Sequence, residues 1–489
     1  MPQLREPKPI IINNFNQGGL ADSKWSGLTY SLYKMIGLDP HSAPGILRVA
    51  QKMKKDSGTT VTELCKARLA ASNGCTYWGS STSGKIWERT SAGVWSLVYT
   101  MTAAAGGVNV LSLYEYSGYI YIATESRLHR IIATSIGSTE WTANMALNWA
   151  TFGVTDASFH PMLCPVDVLY IGDGNQVAQV DGDTFSANAL DVTAPLRIKS
   201  LGQLGTDLLI GTYINDNVTQ TRMIRWNTWS VSFDVSNPIN EVGINAIFQA
   251  DNSVYAHCGV AGNIYQFDGN FMSLSKKIPG EYSSTKTMTV HPAAVSNLGN
   301  EILFGVSNVA GNPCDQGLYR IGRNSVSYPY IMDLPYPLSP RSGTDFVLTN
   351  MEIGAVLVMG ADILVAWKQT ITGTPDTYAY GVDIIDYTAK LSGAYFETRV
   401  VLASSRDAFA NIGKFLVAYY LLPASTAIAI QYSKNYAAYA DTTEKIDTMR
   451  KIVFSDAEGV ECTTLQMKVT MTANANDAPE IESAVMVPR

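Results

Sequence analysis

The sequence predicts an all-β protein: a seven-bladed β-propeller followed by a small antiparallel β-sandwich, with an extended N-terminal arm. Seven times, an Asn, Gly or Asp turn precedes a short apolar strand, and a second strand follows each one. Most of these second strands alternate apolar and polar residues, which is the pattern of a half-buried strand. Only 16% of the 489 residues are charged, where about 25% is usual. Low charge indicates a large core or extensive contacts with other subunits.

The arm is predicted over residues 1–43, which are rich in Pro, Asn, Gly and Ser and are too polar to form their own core. Large aromatic side chains nevertheless occur in it, and free tails seldom carry such apolar anchors. We therefore expect the arm to dock on another surface. Its candidate interface residues are Phe15, Gly18, Gly19, Leu20, Trp25 and Tyr33.

The propeller is predicted over residues 44–393. The recurring strands are spaced 40 to 61 residues apart, and four short strands per unit at a period of about 40–50 residues are typical of a propeller blade. One blade cannot bury both of its faces, so the apolar alternation requires blades to stack on one another. The strands centre on Tyr77, Ile120, Leu169, Leu209, Val254, Leu303 and Leu364.

Two details of the blades depend on local pattern. Thr60 and Glu63 have the spacing of a helix capping box, but their stretch, 60–70, lies where the inner strand of the first blade belongs, which favours a strand. Fourth strands are predicted at 95–99 and 229–233. Four tryptophans fall at strand positions, which favours core packing over sugar binding: Trp87, Trp95, Trp226 and Trp229.

From residue 394 the spacing of the apolar segments changes to about 10–20 residues, with turn signals between them. This spacing predicts an antiparallel β-sandwich over 394–489. The alternative is that some of these strands close the propeller.

No catalytic, cofactor-binding or metal-binding residues are predicted, and the chain is not expected to be an enzyme. Phosphate-binding glycine loops are absent, and the five histidines form no H-x-x-x-H pair. The segment Asp181-Gly182-Asp183 is weakly similar to a calcium loop, but a solvated turn is the better interpretation. The net charge of −7 argues against binding nucleic acid, and we expect neither a signal peptide nor a membrane span.

The whole resembles virion structural proteins of tailed bacteriophages. The segment from Ile11 to Leu20 is similar to the start of many such proteins, and the segment from Ala478 to Val485 resembles the last strand of their sandwich domains. The resemblance implies assembly into a tail, nozzle or baseplate, with function in subunit contacts. In tail nozzles a propeller usually interrupts another domain, whereas here it is predicted to follow a short arm directly.

The partners that this resemblance implies are other virion proteins and copies of the chain itself in a symmetric ring. The protein would be made in the host cytoplasm and reside in the virion. The competing interpretation is a carbohydrate-binding or receptor-binding tail protein that contacts a host glycan, or a propeller glycan hydrolase or lyase. With 26 Tyr and 9 Trp, the chain has enough aromatic residues to line sugar platforms.

Overall fold

The chain folds almost entirely into strands, with two short helices at Phe15–Gly18 and Gly137–Asn144. In the described part of the chain, no helix is both long and apolar enough to cross a membrane. The computed structural model describes residues 9–25, 30–102, 107–154, 158–215, 218–250, 253–311, 313–340, 350–371, 375–402, 410–442, 444–447, 451–454 and 460–488.

Antiparallel four-stranded units recur between residues 51 and 390, and we number them sheets 1 to 7. Their strands, in pairing order, are Cys65–Ala70, Thr76–Ser80, Lys85–Arg89 and Trp95–Thr100 (sheet 1); Ser112–Tyr116, Tyr119–Ala123, Arg127–Ile132 and Ala146–Thr151 (sheet 2); Met162–Leu163, Leu169–Asp173, Gln176–Asp181 and Thr184–Asp191 (sheet 3); Arg197–Leu204, Asp207–Tyr213, Thr221–Trp226 and Val235–Ile239 (sheet 4); Ile244–Ala250, Ser253–Cys258, Asn263–Phe267 and Met272–Lys277 (sheet 5); Val295–Leu298, Glu301–Ala310, Gly317–Gly322 and Ile331–Tyr336 (sheet 6); and Met351–Met359, Asp362–Ile371, Thr377–Lys390 and Gln51–Lys55 (sheet 7).

The seven first strands form a closed ring. Each contacts the first strand of the next sheet, and the first strand of sheet 7 contacts that of sheet 1. Apolar side chains of adjacent sheets fill the spaces between them, as in the cluster of Tyr170 and Val177 with Ile210 and Trp226. The result is a propeller-like body in which every sheet is covered on both faces by its neighbours.

Sheet 7 takes its outermost strand from the N-terminal part of the chain. Gln51–Lys55 pairs antiparallel with Thr377–Lys390, with Met53 opposite Ile385. Met53 is buried while Lys52 and Lys54 are exposed, so the strand alternates as a half-buried strand should. The two ends of the propeller-like body are therefore joined by main-chain hydrogen bonds within one sheet.

Segments from both ends of the chain form a second body of two sheets that share one hydrophobic core. Phe15 and Leu32 pack in this core together with Phe396, Phe415 and Val469. One sheet contains Leu38–Asp39, Leu47–Val49, Glu480–Pro488, Ala410–Tyr419, Lys451–Phe454 and Glu444–Asp447, with Ile10–Ile12 and Val460–Cys462 at its side. The other contains Leu32–Ile36, Ala394–Thr398, Thr464–Thr472, Ala427–Lys434 and Ala440–Asp441, with Val401–Leu402. It is continuous with sheet 6, because Leu32–Ile36 also pairs in parallel with Ile331–Tyr336.

This arrangement corrects the expected extended arm over 1–43 and the expected boundary at 44. Ile10–Ile12 pairs with Glu480–Pro488, and Leu32–Ile36 pairs with Ala394–Thr398. The N-terminal segment is too polar for a core of its own, but its residues Ile12, Phe15 and Leu32 are buried in a core that they share with strands between residues 394 and 488. The propeller-like body is thus inserted between the two parts of the second body.

Most predicted strands are confirmed, including all seven recurring ones and Cys65–Ala70 in place of a helix. The predicted strand at 229–233 is wrong. This stretch is a loop, and the fourth strand of sheet 4 is Val235–Ile239. Consequently Trp229 is 92% exposed and does not belong to the core, whereas Trp87 and Trp226 do.

Candidate functional site

The six predicted arm residues lie mostly inside the chain's own structure. Phe15 is buried against Phe396, with ring centroids 5.9 Å apart. Gly18 and Gly19 are buried, and the amide of Leu20 donates a 2.7 Å hydrogen bond to the carbonyl oxygen of Met332. A Cβ on Gly18 would lie 2.1 Å from the Tyr30 carbonyl oxygen, so only glycine fits there. These residues connect the second body to sheet 6.

The two remaining arm residues are more accessible. Tyr33 is half-buried, and the ammonium group of Lys34 lies 5.9 Å from its ring centroid. Trp25 is 52% exposed, and its ring lies 5.3 Å from that of Tyr436, which is 59% exposed. Trp25 and Tyr436 therefore form an exposed aromatic pair on the second body.

A buried charge cluster joins the two bodies at sheet 6. The Arg320 guanidinium contacts three carboxylates, at 2.6 Å from both Asp39 and Asp333 and 3.4 Å from Glu301. Arg320 is 4% exposed and Asp333 is fully buried. His41 adds a contact at 3.7 Å to Asp333. We call Arg320, Asp39, Asp333 and Glu301 the junction cluster.

The pKa values in the junction cluster follow from burial and mutual attraction. Burial would lower the pKa of Arg320, but its three carboxylates raise that pKa well above its usual value. Burial alone would raise the pKa of Asp39, but Arg320 outweighs it, and the pKa lies below its usual value. For Glu301 burial prevails, and its pKa is raised. The arginine is therefore fixed as a cation, and its role is structural.

Exposed apolar side chains collect at one end of the propeller-like body. In an antiparallel four-stranded sheet, the loop after the first strand and the loop after the third lie at the same end. Among the large apolar residues of sheets 1 to 7 and their described loops, those with exposed fractions of 60% or more all lie in these loops: Val94, Val166, Trp229, Val231, Phe271 and Val326.

Three of them come from adjacent loops, and we call Trp229, Val231 and Phe271 the loop patch. The guanidinium of Arg225 donates a 2.7 Å hydrogen bond to the carbonyl oxygen of Gly269, which links sheet 4 to the loop that carries Phe271. The side-chain amide of Asn237 donates to the Asn270 carbonyl oxygen beside it.

The ring of first strands encloses a cavity of about 520 Å³, which we call the channel cavity. Its lining includes the cationic residues Lys66, Arg68 and Lys199 and contains neither Asp nor Glu. Lys66 pairs with Glu352 at 2.8 Å, and Glu352 lines a second cavity of about 630 Å³ at the channel mouth. In a chain with net charge −7, the channel cavity is locally basic.

Lys199 and Arg68 are held differently within the channel cavity. The Lys199 ammonium donates to the side-chain oxygen of Asn245 at 2.7 Å and lies 5.3 Å from the Phe159 ring centroid. The Arg68 guanidinium donates through one terminal nitrogen to the carbonyl oxygen of Val295 at 2.9 Å. Its buried Nε has no hydrogen-bond partner among the described residues.

Sequence reasoning missed the channel cavity because it weighed charge over the whole chain. The missed signal is the segment 65–70, where Lys66 and Arg68 lie on one face of the strand and Ala67 and Leu69 on the other. Because this strand is the inner strand of the ring, both cationic side chains line the channel cavity and not the outer surface.

Within the described residues, no group of three or more His, Cys, Asp or Glu side chains is placed to hold a metal ion. Asp183 of the calcium-like turn instead pairs with Arg130 at 2.6 Å. His160 is buried, with Nδ1 2.8 Å from the carbonyl oxygen of Gly172, and burial lowers its pKa to about 4. Such a histidine is neutral near pH 7.

No protein-family model and no curated protein matches this sequence. Among solved structures, the chain is similar to U3-55K (12% identity, 68% of this chain and 98% of that chain, TM-score 0.46). It is also similar to virginiamycin B lyase from Staphylococcus aureus (12% identity, 64% and 95%, TM-score 0.45). A third similarity is to the N-terminal domain of Nup159 (8% identity, 75% and 99%, TM-score 0.39). These scores are all below 0.5, and no functional argument rests on them.

Proposed function

We propose that this chain is a seven-bladed β-propeller inserted into a β-sandwich, and that it is a non-enzymatic structural component of a phage tail or tail-associated assembly. Sheets 1 to 7 would be the blades, and Gln51–Lys55 would close the ring. The two sheets of the second body would be the sandwich. In the tail nozzles that the sequence resembles, the propeller is usually inserted into another domain. An inserted propeller in this chain would have the same domain order, which supports the proposal.

The observation that carries the proposal is the set of apolar side chains at one end of the propeller-like body. Trp229, Val231 and Val326 are 92%, 97% and 82% exposed. Large exposed apolar patches mark interaction surfaces, and tryptophan is enriched among the residues that dominate interface energies. Copies of the chain, or other virion proteins, would cover this end in the assembled particle.

The proposal is tested by the association of the purified full chain, measured by light scattering over a concentration series. We expect concentration-dependent self-association that is lost in the double variant Trp229→Ser, Phe271→Ser. The matched control is Leu421→Ser, because Leu421 is also exposed, at 75%, but belongs to the second body.

All three proteins should unfold at nearly the same temperature, because exposed side chains contribute little to stability. A wild-type chain that stays monomeric at its highest soluble concentration contradicts self-assembly through the loop patch. Portal, tape-measure or terminase genes next to the gene for this chain would support the virion assignment, and their absence would weaken it.

A second function, binding of a host glycan by a tail component, is favoured by the exposed pair of Trp25 and Tyr436. Aromatic faces stack on sugar rings, and both rings are half-exposed or more. A glycan array with wild type and Trp25→Ala, together with an assay for released reducing sugar, tests it. Binding that depends on Trp25 without sugar release would indicate an adhesin, whereas release would indicate an enzyme.

A further inference from the structure

We propose that the channel cavity binds an oxyanion, a sulfate or phosphate group, with the Arg68 guanidinium as its principal ligand. This inference does not depend on the assembly function, since it concerns the interior of the ring and not its exposed end. A cavity of about 520 Å³ is within the range of known small-molecule sites.

The residues that line the channel cavity give it a positive charge. The channel cavity is lined by three cationic side chains and by no Asp or Glu, while the adjoining cavity, which Lys66 and Lys199 also line, contains Glu125 and Glu352. Lys66 has its own carboxylate partner, Glu352, at the mouth. Arg68 has no ion pair in the described part of the chain and only a carbonyl oxygen as hydrogen-bond acceptor. Arg68 is half-buried, and a partly desolvated cation without a counter-charge would be stabilised by an anion bound beside it.

Hydrogen-bond donors around the channel cavity also suit an anion. The Arg68 guanidinium lines the cavity, and among the described residues it donates only to the Val295 carbonyl oxygen, through one terminal nitrogen. Two of the hydroxyl groups that line the same cavity each accept a hydrogen bond from a backbone amide: Tyr114 from Cys164 at 3.3 Å and Ser296 from Val358 at 3.2 Å. A hydroxyl that accepts one hydrogen bond still has a hydrogen to donate. Several donors around one cavity suit an oxyanion, whose oxygens accept several bonds.

The protonation state is compatible with this role. Burial lowers the pKa of Arg68 to about 10, so its guanidinium still carries a charge at pH 7. Burial also lowers the pKa of His291, which lines the same cavity, and the charges of Lys66 and Lys199 add to that effect. His291 is therefore neutral, and Arg68 and Lys199 supply the positive potential, since Lys66 is paired with Glu352.

The test uses the full chain, with titration calorimetry and thermal unfolding at constant ionic strength. The probes are sodium sulfate, sodium phosphate, galactose 6-sulfate and unsulfated galactose, with sodium chloride as reference. We expect sulfate or phosphate to bind and to raise the Tm, and Arg68→Gln to weaken that binding at least tenfold. Tighter binding of galactose 6-sulfate than of sulfate would assign the anion to a sugar carrier.

Two controls separate ligand binding from a structural role of Arg68. Arg222→Gln removes an exposed arginine of sheet 4 that does not line the channel cavity, and it should bind sulfate as the wild type does. Without anion, Arg68→Gln should unfold within about 3 °C of the wild type, because the charge it removes is uncompensated. Equal Tm values in sulfate and chloride, or undiminished sulfate binding by Arg68→Gln, would overturn the proposal, as would equal binding of unsulfated galactose.

Discussion

Arg320 and Arg68 are both enclosed by the fold, but their surroundings differ. Arg320 contacts the carboxylates of Asp39, Asp333 and Glu301, which come from two different bodies of the molecule. Arg68 faces a cavity without Asp or Glu and uses only part of its hydrogen-bonding capacity. The difference teaches that one chain can hold Arg320 with counter-charges built into the fold and leave Arg68, which is half-buried, without a carboxylate among the residues that line its cavity.

The largest expected effect is at the compensated arginine. Arg320→Met leaves the fully buried Asp333 without its cation, and we expect it to lower the free energy of unfolding by about 3–5 kcal/mol. Denaturant unfolding of wild type and variant measures this difference. A loss below about 1 kcal/mol would mean that Arg320 does not hold the two bodies together.

A double-mutant cycle sharpens the comparison. Arg320→Met and Asp333→Asn should be coupled, because the two side chains are 2.6 Å apart, and coupling energies of contacting charges are about 0.5–3 kcal/mol. The double variant should therefore be less destabilised than the sum of the single variants. Strict additivity would show that the contact contributes no net stability.

Glu63 is a third charged side chain, and its carboxylate is stabilised by hydroxyl groups as well as by a lysine. Its carboxylate accepts from Lys85 at 2.6 Å and from Ser80 and Thr82. Burial opposes ionisation, but these donors outweigh it and lower the pKa of Glu63 from 4.5 to about 2. Because the folded-state pKa is depressed, the contribution to stability is complete above pH 4.5 and is lost as the pH falls through about 2.

The corresponding variant is Glu63→Gln. With solvent screening taken into account, we expect it to be about 1 kcal/mol less stable than wild type at pH 7, with the difference vanishing towards pH 2. Unfolding curves at several pH values measure this trend. A difference that is constant with pH would contradict the assigned ionisation.

The smallest effect is expected at Arg68. Its removal loses one hydrogen bond to Val295 but also removes an uncompensated charge, so Arg68→Gln should change the free energy of unfolding by less than about 1 kcal/mol. A loss as large as that of Arg320→Met, measured under the same conditions, would break the comparison.

Local pattern was sufficient to predict most of the strands. In Thr464–Thr472, Leu465, Met467 and Val469 alternate with polar neighbours, which specifies the strand faces directly, and the recurring turns specify the hairpins. The closure of sheet 7 could not be predicted, because Met53 pairs with Ile385 across more than 300 residues. No short-range signal records such a pairing.

The candidate sites were predicted less well, for two physical reasons. The sequence predicts Phe15 at an interface of a docked arm, whereas its ring packs against Phe396 of the same chain. Trp229 and Val231 alternate with polar residues as a strand would, yet the stretch is a loop, in which the backbone amides of Trp229 and Ser230 donate hydrogen bonds to the side-chain oxygen of Asn227. The sequence does not single out Arg68, because the residues that line its cavity come from several distant strands. Only the folded structure shows that none of these lining residues is Asp or Glu.

The contrast between the two arginines is tested most directly by locating an anion in crystals of the full chain. Selenate, an analogue of sulfate with a strong anomalous signal, is soaked into wild-type and Arg68→Gln crystals at equal concentration. We expect an anomalous peak in the channel cavity within hydrogen-bond distance of the Arg68 guanidinium, and no such peak in the variant. Selenate that occupies other surfaces while the cavity beside Arg68 contains none would contradict the account.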